Sequence, residues 1–173
     1  GLEIADDLPQ VDLVLVPVGG GGLISGVATA VKARQPNAQV IGVEPALAAD
    51  AQQSLREGHL VSWSAADTSR TLADGVRTQS LGPLTYAVIR ERVDDIVTVS
   101  EADIRAAVRH YARYLKLVVE PTGALTLAAL LAGAYAGRGR CVALVVSGGN
   151  VEPSVLAAHR ARCRHRHEAR GRG

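Results

Sequence analysis

The sequence predicts an α/β fold: an open, twisted, mainly parallel sheet with helices on both faces. Three observations carry this. Short apolar runs alternate with amphipathic stretches along the chain, the pattern of strands joined by crossover helices. The run at residues 12–18 (DLVLVPV) is rich in β-branched residues and lacks polar alternation, as expected of a strand buried on both faces. Glycine-rich turns follow two of the runs directly, after Val18 and after Val146. Ligands of such sheets bind beyond the carboxyl ends of the strands, so both turns are expected to face one crevice.

Each element has a local reason. Four glycines, Gly19 to Gly22, end the first strand, and residues 23–34 (LISGVATAVKAR) read as a helix stopped near Pro36-Asn37. Residues 39–43 (QVIGV) form the second strand. Residues 48–57 read as a helix closed by Gly58, residues 61–80 are polar and turn-rich and read as loop, and residues 83–92 form the next helix. Residues 95–99 (DIVTV) are a strand ending at Ser100. Ser100 to Asp103 has capping-box spacing with Asp in place of Glu or Gln, ahead of an amphipathic helix over 104–116. Pro121-Thr122-Gly123 opens a helix over 124–136. Residues 140–146 are a strand, Ser147 to Asn150 a turn, and residues 153–162 a last helix.

Composition narrows the function classes. The chain has 173 residues, 47% hydrophobic and 21% charged, values of a globular protein rather than a disordered one. No apolar run approaches the roughly 18–20 residues of a membrane span, and the acidic first segment (Glu3, Asp6, Asp7) is unlike a secretion signal. There is no Phe, and aromatic residues are only 3%. The core must therefore be built from Leu, Val, Ile and Ala, and a base-stacking nucleic-acid surface is poorly supported. Residues 160–173 hold six arginines against the single acid Glu168, while the body of the chain is mildly acidic. A basic tail can bind nucleic acid or an anionic surface; the plainer reading, a disordered solvated end, is preferred. Cys141 lies in an apolar run and reads as a small buried hydrophobe; Cys163 is in the tail. Two such cysteines make no disulfide framework and fit a reducing cytoplasm. The chain has no Met, which suggests that it starts inside a longer gene product.

Three segments carry chemistry. In Pro17-Val18-Gly19-Gly20-Gly21-Gly22-Leu23 a strand feeds four glycines that feed a helix. Successive N–H groups there can cradle an anion, reinforced by the helix N-terminus, and a phosphate is the natural guest. The segment is neither a Walker A loop nor a dinucleotide fingerprint. Ser147-Gly148-Gly149-Asn150 can present a hydroxyl at a strand end, or be a plain turn. Glu44-Pro45 with Ala48 and Asp50 offers two carboxylates and a carbonyl, which suit a hard cation; alone, an acidic pair favouring the following helix is the plainer reading. Glu120-Pro121-Thr122 resembles it, and Asp74-Gly75 is by default a tight turn. The five histidines show no zinc spacing, and no Ser/His/Asp arrangement can be argued.

Together these residues resemble the pyridoxal-phosphate enzymes of fold type II, in the threonine dehydratase and serine racemase group. The segments are PVGGGGLISG (17–26), VIGVEP (40–45), TLADGV (71–76), DDIVTVSE (94–101), VVEPTGA (118–124) and VVSGGNV (145–151). They span essentially residues 1–156. The resemblance implies that Gly19, Gly20, Gly21 and Gly22 cradle the phosphate of pyridoxal 5'-phosphate, that Ser147 meets its ring nitrogen, that Gly75 lies beside the cofactor, and that Glu120 helps line the ring pocket. It also implies that Glu44, the Ala48 carbonyl and Asp50 hold a divalent cation (Mg or Ca).

One departure is large. The family's Schiff-base lysine belongs to an N-terminal half that this chain lacks. Lys32 and Lys116 are the two lysines present, and neither matches that position. The resemblance therefore implies that residues 1–159 are the C-terminal portion of a catalytic large domain, with 160–173 as its tail. It implies part of a serine/threonine ammonia-lyase, inactive alone, with a serine racemase portion or a non-catalytic phosphate-ligand module as alternatives. The expected partners are a small amino-acid substrate and a second subunit of a dimer, with no membrane or nucleic acid. Apolar sheet surface that packs against the other half is expected to be left open.

Overall fold

The computed structural model describes residues 1–135 and 141–151. Four strands, β1 (Leu13–Pro17), β2 (Gln39–Pro45), β3 (Asp95–Val99) and β4 (Val142–Leu144), form one sheet in the order β3-β2-β1-β4. Every pairing is parallel, with Leu15 beside Ile41 on one side and Leu144 on the other. The α/β class and the parallel sheet agree with the sequence.

Alternation along the strands sorts the core into two layers, because successive side chains leave opposite faces. Leu13, Leu15, Ile41, Val43, Val97 and Val99 pack on one face against Ile104, Ala107, Val108, Leu125 and Ala128, which come from α6 (Glu101–His110) and α7 (Leu125–Ala132). Val14, Val16, Val40 and Ile96 pack on the other face against Ile24, Val27, Val31 and Ile89, from α2 (Gly22–Arg34) and α5 (Pro83–Arg92). β1 is buried along its whole length, whereas β4, at the sheet edge, is half-buried throughout. Helices α1 (Leu2–Asp7), α3 (Asp50–Glu57) and α4 (Ala65–Thr68) complete the described set. No helix among the described residues is long and apolar enough to cross a membrane.

Close packing at β2 depends on one glycine. A Cβ on Gly42 would lie 2.7 Å from Val18 Cγ2 and 2.9 Å from Ile96 Cγ1. Gly42→Ala is expected to lower stability by about 1–3 kcal/mol through overpacking. A urea unfolding curve with unchanged slope and a lower midpoint checks this.

The structure corrects several boundaries. α2 starts at Gly22 and α3 at Asp50, because residues 46–48 form a turn in which the Ala48 N–H donates to the Pro45 carbonyl (2.9 Å). α6 begins at Glu101: Ser100 and Asp103 satisfy each other's backbone N–H in a complete capping box. It gives way to a π turn at Tyr111–Leu115, ended by Lys116 at φ 59°. A 3-10 turn (Thr122–Ala124) precedes α7, which stops at Ala132 with Gly133 left-handed. The stretch expected as loop contains α4 and a 3-10 turn, Asp74–Val76. Cys141 is half-buried rather than buried. The helix expected over 153–162, the tail at 160–173, Cys163 and the ends of the elements expected at 136 and 140 lie outside the described residues.

Candidate functional site

β1 and β4 are adjacent and parallel, so the turns that follow them leave the same end of the sheet. Continuing their register places Ser147 level with Val18, one residue before the glycines. The Val145 N–H still donates to the Leu15 carbonyl (3.0 Å), which carries the pairing past the end of β4. Ser147 itself is exposed.

The glycine loop is shaped for an anion. Gly21 caps α2 at φ 87°, a left-handed conformation that favours glycine. Among the described residues, no acceptor faces the N–H groups of Gly19, Gly20, Gly21 or Gly22. Donors of this kind at the positive end of a helix of 13 residues can take an anion such as a phosphate. The carbonyl side is fixed instead: the single O–H of Thr85 is shared between the Gly20 carbonyl (2.7 Å) and the Gly82 carbonyl (2.9 Å). Thr78 adds a buried hydroxyl with no partner, its methyl 4.0 Å from where a Cβ on Gly20 would sit.

Gly75 sits in the 3-10 turn, exposed, with its carbonyl against Gly19. Its N–H donates to Thr122 Oγ1 (3.0 Å), and a Cβ there would lie 3.0 Å from the same oxygen. Glu120 braces the second glycine turn. Its carboxylate accepts the Asn150 N–H (3.0 Å), and its own N–H donates to the Gly148 carbonyl (3.2 Å). A side chain on Gly148 would collide with that carboxylate. Glu120 thus holds the turn carrying Ser147. The structure brings Gly75 against Gly19, the first residue of the glycine loop, and ties Glu120 to the 148–150 turn. The lysines lie elsewhere: Lys32 pairs with Asp94 (2.8 Å), and Lys116 Nζ donates to the Arg113 carbonyl (2.6 Å).

The third cluster lies at the end of β2. Glu44 and Asp50 are each about 1% exposed. Glu44 accepts the Ala51 and Gln52 N–H groups (3.2 and 2.8 Å) and so caps α3. Both Asp50 carboxylate oxygens are buried without a hydrogen-bond partner. Burial lifts the Asp50 carboxyl from 3.8 to about 6. Glu44 is raised well above its ordinary value, first by burial and then by the Asp50 charge, against the two N–H donors. An orphaned carboxylate beside a second one fits a hard cation. Among the described residues there is no group of three or more His, Cys, Asp or Glu that could hold a metal, so a site here would need the Ala48 carbonyl as a further ligand.

Sequence reasoning did not find Thr85, Thr78 or Thr122 as site residues. Each acts on a segment tens of positions away, and a lone threonine carries no local signal of that.

The family model for pyridoxal-phosphate dependent enzymes matches residues 1–148. The chain is 43% identical over 150 residues to a serine racemase of Schizosaccharomyces pombe, covering 87% of this chain and 46% of that protein. It is equally identical over 150 residues to an L-threo-3-hydroxyaspartate ammonia-lyase of Saccharomyces cerevisiae, at 87% and 45% coverage. The crystal structure of a T.th. threonine deaminase superposes with a TM-score of 0.81 at 49% identity, covering 87% of this chain and 53% of that one. The fold and these matches define a pyridoxal-phosphate enzyme of fold type II. The chain belongs to the pyridoxal-phosphate dependent enzyme family and spans about half the length of the curated relatives it matches.

Proposed function

We propose that the chain is the cofactor-holding portion of a serine/threonine ammonia-lyase, an enzyme that converts a hydroxy amino acid to a 2-keto acid and ammonia. The observation that carries this is the loop of four glycines at the start of α2, whose N–H groups meet no acceptor among the described residues. Pyridoxal phosphate, when bound, supplies an electron sink for the carbanion left when an amino acid loses its α-proton. The chain's own residues bind and orient it. Gly19 to Gly22 hold the phosphate dianion, with the helix N-terminus adding to the attraction. Gly75 leaves room beside it, and Glu120 keeps the 148–150 turn in place. The Ser147 hydroxyl would meet the ring nitrogen as a neutral partner, one that does not hold a proton on it as a carboxylate would. Proton removal at the substrate needs a lysine, and neither Lys32 nor Lys116 is placed for it.

In this reading Glu44, Asp50 and the Ala48 carbonyl hold a Mg or Ca ion, supported by the orphaned Asp50 oxygens. The enzyme acts on a small amino acid as a cytoplasmic dimer. A racemase is the second reading, favoured by the equal identity to a serine racemase and to an ammonia-lyase.

Two measurements test the reading. The purified chain should bind pyridoxal phosphate saturably by absorbance titration, yet yield no 2-oxobutyrate from L-threonine. Adding a polypeptide with the lysine-bearing half of a relative should restore turnover. Enzyme-like turnover by the chain alone, or no cofactor binding at all, would overturn it. D-serine formed from L-serine without keto acid would favour the racemase, and cofactor binding that no added half makes productive a non-catalytic module.

A further inference from the structure

We propose that Glu101 is a positioning residue that clamps the 71–77 turn so that Gly75 is held against the glycine loop. The inference rests on the pyridoxal-phosphate reading for its ligand, but its geometry stands on its own. Glu101 is the first residue of α6, and helix capping there is already complete through Ser100 and Asp103. Its carboxylate is therefore available for another segment. One oxygen accepts the Thr71 hydroxyl (2.6 Å) and the other the Leu72 N–H (2.8 Å). The positive end of α6 favours a carboxylate at this position.

Thr71 is buried, and both its hydroxyl and its carbonyl are bonded. Its Oγ1 donates to Glu101 and accepts the Ala73 N–H (3.2 Å). Its carbonyl accepts two N–H groups of the Arg77 guanidinium (3.1 and 2.6 Å). The turn is thus closed from outside by Glu101 and from within by Arg77. Four residues after Thr71, Gly75 is exposed, with its N–H on Thr122 and its carbonyl facing Gly19. Among the described residues the backbone bonds of the turn itself are short ones, Asp74 to Leu72, Val76 to Ala73 and Arg77 to Asp74. Without Glu101, two donors lose their acceptor, one of them on buried Thr71, and the turn loses its tie to α6.

The test compares Glu101→Ala and Glu101→Gln with the parent chain. Gln keeps one oxygen for the Leu72 N–H and can donate to Thr71 Oγ1, so it is the rescue variant. Amide hydrogen exchange at residues 72–76 should rise about tenfold or more in the Ala variant, as expected for losing roughly 1.4 kcal/mol of local stability, and by much less in Gln. The Kd for pyridoxal phosphate should rise by a similar factor of about ten. Val108→Ala, a core truncation on the same helix, should lower Tm without changing either readout at the turn. Unchanged exchange at residues 72–76 in Glu101→Ala, or equal effects in Ala and Gln, overturns the proposal, as does faster exchange with cofactor affinity intact. If the parent chain binds no pyridoxal phosphate, the cofactor reading falls, and the clamp is decided by exchange alone.

Discussion

Gly21→Ala is expected to cause the largest single loss. Two independent penalties meet at this position. The backbone is at φ 87°, and an L side chain in the left-handed region costs about 1–2 kcal/mol. A Cβ would also lie 2.8 Å from Thr85 Oγ1, 2.9 Å from Thr85 Cβ and 3.0 Å from Ile89 Cδ1. Thr85 cannot retreat freely, because its hydroxyl is bonded to the Gly20 carbonyl in the same loop. Overpacking of this kind adds about 1–3 kcal/mol, for a total of about 2–5 kcal/mol. Relief by shifting the loop would misdirect the free N–H groups, so cofactor binding should fail along with stability. Gly22→Ala is the contrast, since a Cβ there meets nothing within 4 Å; its stability should stay within about 0.5 kcal/mol of the parent. Chemical unfolding of both variants, with a pyridoxal-phosphate titration of each, checks the pair. Equal stability of the two variants would refute the argument.

The second large effect concerns Asp50. Its carboxyl is raised to about 6 from 3.8, so between those values the folded chain holds a proton that the unfolded chain has released. Stability therefore falls as pH rises from about 4 to 6, and the loss is complete above about 6. At 1.36 kcal/mol per pH unit it amounts to about 3 kcal/mol. Glu44 is raised in the same sense, so its contribution has the same sign and begins above 4.5. Asp50→Asn should remove the Asp50 part and raise Tm at pH 7.5 in metal-free buffer. A bound Mg or Ca ion should also raise Tm at pH 7.5, because it compensates the buried charge. That gain should shrink toward pH 5 as protons compete, and should be absent in Asp50→Asn. Thermal melts at pH 5 and 7.5, with chelator or with excess cation, separate these outcomes. A cation response that survives Asp50→Asn would remove the site from this loop.

How much of this was legible in the sequence depends on whether a signal is local. The β-branched run of β1 and the glycines after it announce a buried strand and an anion cradle within ten residues. Ser100 and Asp103 announce the start of α6, although an Asp in the second position made the motif look weak. Other features depend on partners far along the chain. Thr85 meets Gly20 across 65 positions, Thr122 meets Gly75 across 47, and Glu101 meets Thr71 across 30. Each is an ordinary polar residue until the fold brings its partner to it. α1 went unread because its six residues, LEIADD, are too short for periodicity to show. The pairing of Glu44 and Asp50 was visible as spacing, but the orphaned state of Asp50 was not, since it depends on what β2 and α3 bury.

β4 spans three residues, lies at the sheet edge and is half-buried along its length. Segments of that kind open at a lower free energy than the rest of the sheet. Ser147 is held from one side by the Glu120 ties to residues 148–150 and from the other by the pairing of β4 with β1. On the proposed reading, the apparent affinity for the ring end of a ligand is expected to be the intrinsic affinity multiplied by the fraction of chains with that pairing formed. On the same reading the phosphate end hangs on β1, which is buried throughout, and pays no such discount. A ligand should therefore be captured by its phosphate first, with the ring seated each time the edge strand closes, so the slower and weaker half of binding belongs to the hydroxyl of Ser147.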